Sequence, residues 1–152
     1  MNKILIGSLI SLILISCTQD GPNIKQLQNL QFFIDNKIDT EIIEIEPGLQ
    51  YKILQKGSKE GKFPELDEVI VAHFHGTLTN GEVFWSSLET QPLEIELSKL
   101  IIGCQKIISK MRIGDKWIVY IDPSMAYGEE GRPGIPSNSI LVFEIELLEI
   151  KN

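Results

Sequence analysis

Two histidines, His73 and His75, stand two residues apart in "VIVAHFHGTL", and two serines, Ser86 and Ser87, close the stretch "GEVFWSS". On a strand, residues i and i+2 share a face, so the two imidazoles are placed to approach one metal ion. No third histidine and no carboxylate stands at ligand spacing, and two solvated or packed strand histidines account for the pair better. No metal is expected. Ser86 and Ser87 have no base nearby in the sequence, which argues against an activated serine nucleophile. Cys104 sits in the apolar "LIIGCQKII" and reads as inert core rather than as a reactive thiol. There is no glycine loop for phosphate, no CxxC and no HExxH, so no cofactor is expected. What is left is aromatic: Phe84 beside Trp85, and Tyr127 in a glycine- and proline-rich stretch. Neighbouring strand residues point to opposite faces, so Phe84 and Trp85 cannot both enter one ordinary core.

The elements that must position these residues are legible from periodicity. "LQYKILQ" (49–55) and "VIVAHFHGTL" (69–78) have strand character, and "EVFWSS" returns after Asn80-Gly81, the favoured pair for a two-residue hairpin turn. "PLEIELS" (92–98), "KWIVYID" (116–122) and "ILVFEIELLEI" (140–150) are further strand-like stretches, the last with Phe143, Ile145 and Leu147 on one face. "LIIGCQKIISKMRIG" (100–114) carries apolar residues at 104, 107, 108 and 111, which predicts one short helix ending near Gly114. "PSMAYGEEGRPGIPSNS" (123–139) is a loop of a length usually tied to function. The pattern lacks βαβ alternation. It predicts an α+β domain, a five-stranded antiparallel sheet burying one face against one short helix.

Upstream, Ile24, Leu27, Leu30 and Ile34 recur at helical spacing, as a short helix packed on the domain or a loosely ordered spacer. The first residues read as a leader. Lys3 precedes an apolar run, Ile4–Ile15, too short for a bilayer span and suited to the hydrophobic part of a secretory signal. "LISC" (14–17) then resembles a bacterial lipobox, implying cleavage before Cys17 and its lipidation. The alternatives are a plain signal peptide or a buried apolar segment with a chance cysteine. The expected organisation is a signal peptide over 1–16, a lipidated Cys17 and tether over 17–45, and a folded domain over 46–152. Removing 1–16 takes Lys3 and moves the net charge from −7 to −8. With Cys17 acylated, Cys104 has no disulfide partner. Lysines are scattered, so no basic stripe exists to meet nucleic acid.

From Gly48 to Leu148, "GLQYKIL", "HFHGTLTNGEVFWSS", "MRIGDKW" and "AYGEEGRPGIPSNSILVFEIELL" follow, in order and spacing, the motifs of the FKBP family of peptidyl-prolyl cis-trans isomerases. The sequence resembles that family over two-thirds of its length. The resemblance implies a twisted five-stranded antiparallel sheet wrapped around one short helix, with an apolar active site between them beneath the Gly/Pro loop. It implies an isomerase that assists folding of exported proteins, with proline-containing polypeptides as substrates and macrolides as inhibitors. It places Tyr127, Ile101 and Phe84 in the catalytic role, with the Tyr127 hydroxyl and the Ile101 N–H donating to ligand carbonyls. The substrate-binding wall would comprise Phe74, Trp85, Leu93, Leu100, Ile135 and Phe143, with Cys104 as the floor where the family usually has tryptophan. Arg132, at a position often held by His, would touch the rim at most.

The departures at Trp85 and Cys104 bear on activity. The family usually has Asp at the position of Trp85, accepting from a tyrosine at the position of Phe74. Both polar partners are replaced together, which is structurally consistent. A large indole could still narrow the cleft, and a catalytically weak binding, chaperone or surface-interaction lipoprotein is the alternative. The expected protein is a lipid-anchored, extracytoplasmic monomer of the bacterial envelope.

Overall fold

A computed structural model describes residues 23–151. The expected signal peptide, the lipidated Cys17 and the tether up to Pro22 lie outside the described residues. Among those described, no helix is long and apolar enough to cross a membrane.

In chain order the elements are α1 (Ile24–Asn36), β1 (Ile42–Glu46), β2 (Leu49–Gln55), β3 (Val69–Leu78), β4 (Val83–Ser86), β5 (Leu93–Glu96), α2 (Ile102–Ile108), β6 (Lys116–Ile121) and β7 (Leu141–Lys151). The strands form one antiparallel sheet in the order β1-β2-β6-β7-β3-β4, with β5 also paired to β3. β4 covers His75–Thr77 and β5 covers Val69–Ala72, so the two occupy successive parts of one edge of β3. Counted by position across the sheet, five places match the expectation and β1 adds a sixth. β1 falls in the stretch expected to be tether, and its pairing to β2 draws that stretch into the folded unit. Pro47-Gly48 makes the connection, with Gly48 at φ +81°.

Alternation along the central strands separates the faces. Ile70, Ala72, Phe74 and Leu78 of β3 and Leu141, Phe143, Ile145 and Leu147 of β7 are buried, with the intervening residues partly exposed. This inner face packs on α2, which buries Gly103, Cys104, Ile107 and Ile108. A Cβ at Gly103 would lie 2.4 Å from Ile121 Cγ2, so glycine is what lets the helix approach the sheet. The helix is shorter than its periodicity predicts. After Ile108 the chain tightens, with Lys110 and Met111 N–H donating to Ile107 and Ile108 carbonyls, and Met111 stays buried beyond the helix end.

The Asn80-Gly81 turn also differs from expectation. Gly81 N–H donates to Leu78 O (2.9 Å), Leu78 N–H donates to Glu82 O (2.8 Å), and only Gly81 has positive φ, at +85°. A two-residue type I′ loop needs positive φ at both central positions; the chain instead makes a three-residue loop ending in a left-handed glycine.

α1 is a formed helix, and it lies on the outer face of the sheet. Asn23 caps it, its side chain accepting from Gln26 N–H while the Gln26 side chain accepts from Asn23 N–H. The residues that dock it are Asn29 and Phe33, both buried, rather than the apolar series Ile24, Leu27, Leu30 and Ile34, which is exposed. Gln50, buried in β2, donates to Phe33 O (2.9 Å) and accepts from Asn36 Nδ2 (2.9 Å).

Candidate active site

β4 answers how Phe84 and Trp85 can both be used. Across from it, Gly76 pairs with Trp85 and the next residue, Thr77, pairs with Val83, leaving Phe84 as an extra residue. A bulge of this kind breaks the alternation and re-aims a side chain. Both aromatics accordingly face the same cleft.

That cleft has a volume of about 510 Å³, within the ~300–1,000 Å³ common for small-ligand pockets. Its lining brings together Tyr127, Ile101, Phe84, Phe74, Trp85, Leu93, Leu100, Cys104, Ile135 and Phe143, every residue of the expected site. The aromatic wall is a connected series: Trp85 and Phe74 at 6.0 Å between centroids, Phe74 and Phe143 edge-on at 6.2 Å, Phe143 and Phe84 edge-on at 5.4 Å. Gly76 makes the last contact feasible, since a Cβ there would lie 2.5 Å from the Phe84 ring and 2.8 Å from that of Phe143. Trp85 remains 41% exposed, lying along one wall, and the cleft stays open.

The roof is fixed by its own hydrogen bonds. Arg132 N–H donates to Ile135 O (2.9 Å) and Ile135 N–H to Arg132 O (2.8 Å). Between them stand Pro133 and Gly134, the latter at φ +82°, the pattern of a type II turn. The turn sets Ile135 into the lining. Gly131 N–H donates to Tyr127 O (3.0 Å) and Asn138 N–H to Gly128 O (2.8 Å), so the loop is a prebuilt rim.

Polar groups are few. Arg132 Nη1 donates to the Tyr127 hydroxyl oxygen at 2.8 Å, and its guanidinium lies 4.9 Å over the Tyr127 ring. Arg132 therefore does more than touch the rim. Its donation occupies a lone pair of the hydroxyl and leaves the O–H free to donate, polarised by the cation. Ile101 caps α2 in extended conformation, and its N–H has no partner among the described residues. Lys99, Arg132 and Pro133 complete the lining; the first two are cations, and among the described residues no carboxylate lines the cleft. Burial pushes the Cys104 thiol up to about 12, so the floor is a neutral thiol at physiological pH.

The histidines and serines, read as unrelated in the sequence, are hydrogen-bonded across β3 and β4: His73 Nδ1 to Ser87 Oγ and His75 Nδ1 to Ser86 Oγ, each at 3.1 Å. The hairpin register pairs them. Among the described residues neither ring forms an ion pair with a carboxylate, and none of the four lines the cleft. No cluster of metal-ligating residues occurs among the described residues.

A model of the FKBP-type peptidyl-prolyl cis-trans isomerases matches residues 60–148. The chain belongs to the FKBP family. It is 38% identical over 122 residues to peptidyl-prolyl cis-trans isomerase Mip of Coxiella burnetii, covering 79% of this chain and 52% of that protein. It is 37% identical over 105 residues to FkpA, an FKBP-type isomerase of Escherichia coli K12, covering 68% and 38%. The chain thus spans about half or less of the length of these curated FKBP relatives. The crystal structure of FkpA from E. coli superposes with a TM-score of 0.77 at 30% identity, over 84% of this chain and 59% of that one. A Pseudomonas syringae peptidyl-prolyl isomerase structure gives a TM-score of 0.75 at 28% identity, over 87% of this chain and all of that one. The FKBP match covers every residue of the cleft lining.

Proposed function

We propose that this protein is a peptidyl-prolyl cis-trans isomerase acting on X–Pro bonds of exported polypeptides. The observation that carries the reading is an open aromatic cleft holding one polarised hydroxyl and one backbone N–H unpartnered among the described residues, with the Cys104 thiol held neutral by burial. Rotation about an X–Pro amide breaks no bond; it must overcome C–N resonance, a barrier of about 18–20 kcal/mol. The planar amide carries more charge separation than the twisted one, so an apolar cleft disfavours the planar form relative to the twisted form. Tyr127 and Ile101 donate to substrate carbonyls in the geometry reached on twisting, and Phe84 presses against the prolyl ring. Phe74, Trp85, Leu93, Leu100, Cys104, Ile135 and Phe143 form the rest of the binding surface. A macrolide would compete for the same space.

The lipobox-like "LISC" supports cleavage after Ser16 and acylation of Cys17, and with it an extracytoplasmic, membrane-tethered protein. Exchange NMR on an X–Pro peptide tests the activity: cis-trans exchange should accelerate in proportion to protein concentration and be abolished by a cleft-filling macrolide. Absence of acceleration at high protein concentration refutes the enzymatic reading. Labelling with radioactive palmitate tests the anchor separately, through loss of label in Cys17→Ser.

A further inference from the structure

The face of α1 that docks on the sheet leaves an apolar stripe pointing away from the domain. At 100° per residue, Ile24, Leu27, Leu30 and Ile34 fall within an arc of about 120°. They are between 51% and 76% exposed, and Ile38, just past the helix, is 81% exposed. The opposite side is committed to the domain: Asn29 Nδ2 donates to Asn138 O (3.0 Å), Asn36 and the Phe33 carbonyl bond Gln50, and Phe32 meets Tyr120 at 6.0 Å. Gln31, within the arc, donates to Asp35 at its border (2.6 Å). Four large aliphatic side chains on one arc, with Ile38 exposed just beyond the helix, exceed the scattered exposure ordinary for a soluble surface.

We infer that this stripe is a lipid-contacting surface, which lays the domain on the membrane that receives the Cys17 acyl chains. The inference rests on the lipid-anchor reading given above. Five residues, 18–22, separate Cys17 from the capping Asn23, a reach of about 20 Å when fully extended. An acylated Cys17 therefore holds the N-terminal end of α1 at the bilayer surface. Contact between stripe and lipid then becomes intramolecular, and a surface too small to bind from solution suffices. A fluid interface also demands no shape complementarity. A second copy of the chain is the weaker occupant. Stable protein interfaces engage about 20–30 residues, or ~800 Å², on each side, and the stripe offers four side chains with Ile38 just beyond them.

The consequence reaches the cleft. Asn29 ties α1 to the end of the loop that carries Tyr127, Arg132 and Ile135. Seating α1 on lipid fixes the height and aspect of the isomerase site above the membrane, where a polypeptide segment close to the bilayer would meet it.

The test uses the full chain, lipidated in cells and reconstituted in phosphatidylethanolamine/phosphatidylglycerol vesicles with brominated acyl chains. Tryptophan is introduced as Leu30→Trp or Ile34→Trp in the stripe and as Lys25→Trp on another exposed side, with the emission of Trp85 and Trp117 subtracted using the parent protein. Quenching at the stripe positions should exceed that at Lys25→Trp several-fold. Equal quenching, in protein that partitions into the detergent phase on phase separation, overturns the stripe proposal and leaves the anchor standing. Partition into the aqueous phase removes the anchor and the proposal with it. Unquenched Leu30→Trp in a particle of twice the chain mass assigns the stripe to a second copy, and also overturns it.

Discussion

Gly76, Phe84 and Phe143 work as one unit, because the bulge that turns Phe84 inward seats its ring where a larger residue at 76 would put a Cβ. Gly76→Ala should therefore destabilise the protein by about 1–3 kcal/mol, the range for overpacking. It should also lower isomerase activity several-fold, since both displaced rings line the cleft. Urea denaturation and exchange NMR check the two effects, and stability within error of the parent would show that the rings yield freely. Arg132 and Tyr127 form a second unit. If Arg132 acts by holding and polarising the hydroxyl, Arg132→Ala lowers activity on a neutral peptide several-fold in the parent and has no further effect in Tyr127→Phe, a non-additivity that a double-mutant cycle measures. Additive losses would mean that Arg132 acts on substrate directly. With Lys99 and Arg132 as the charged lining residues among those described, a Glu-Pro peptide should also turn over with higher kcat/KM than its Lys-Pro counterpart. Raising salt should narrow that gap. Family motifs make ten of the positions that line the cleft readable in the sequence. The bulge is not, because a single strand does not say which residue its partner will skip. Nor is the Arg132 contact, which depends on how the Pro133-Gly134 turn folds the loop back.

Among the elements, α1 separates what periodicity can and cannot say. Its apolar spacing allows a helix or a loose spacer; a helix forms, and the residues in that spacing face outward. The docking face is chosen by long-range polar partners, above all Gln50, which is buried in β2 and holds Phe33 O, Asn36 and Glu44 together. Apolar residues are assigned to a core by default, and nothing local to α1 announces that a glutamine more than a dozen residues on will claim its other side. β1 is not legible in the sequence for a related reason: "IIEIE" is short, and its pairing depends on the Pro47-Gly48 turn that folds it onto β2. Gln50→Leu removes the hub while keeping an apolar body in place. It should cost about 1–3 kcal/mol through unpartnered polar groups. Amide exchange should quicken first in α1 and leave β3 and β7 protected, with the isomerase rate on a soluble peptide retained. Uniform exchange throughout would show that α1 and the sheet open as one unit.

For the whole molecule, the sheet centre and the α1–β1 corner are held by different forces, and pH separates them. β3 and β7 pair along ten positions over a buried apolar face. The corner relies on exposed ion pairs: Lys37 to Glu44 at 2.7 Å, and Lys52 to Asp39 at 2.8 Å and to Glu41 at 2.7 Å. The Lys37 hydrogen bond, reinforced by Gln50, holds the Glu44 carboxyl below its ordinary value of 4.5. The Lys52 hydrogen bond, with the Glu41 N–H, holds Asp39 below 3.8. A carboxyl lowered in the folded state stabilises it above the unfolded value, and that contribution is lost as pH falls through the folded one. Each pair is exposed and screened by salt, so the effect is local and modest. As pH drops below about 4, amide protection in α1 and β1 should fall while that of β3 and β7 persists, and added salt at neutral pH should weaken the same corner. Simultaneous loss of protection in all four elements would show that the corner is held by Phe33 packing alone. Acid should therefore loosen α1 and β1 from the domain before it unfolds the cleft, whose lining comes from other elements.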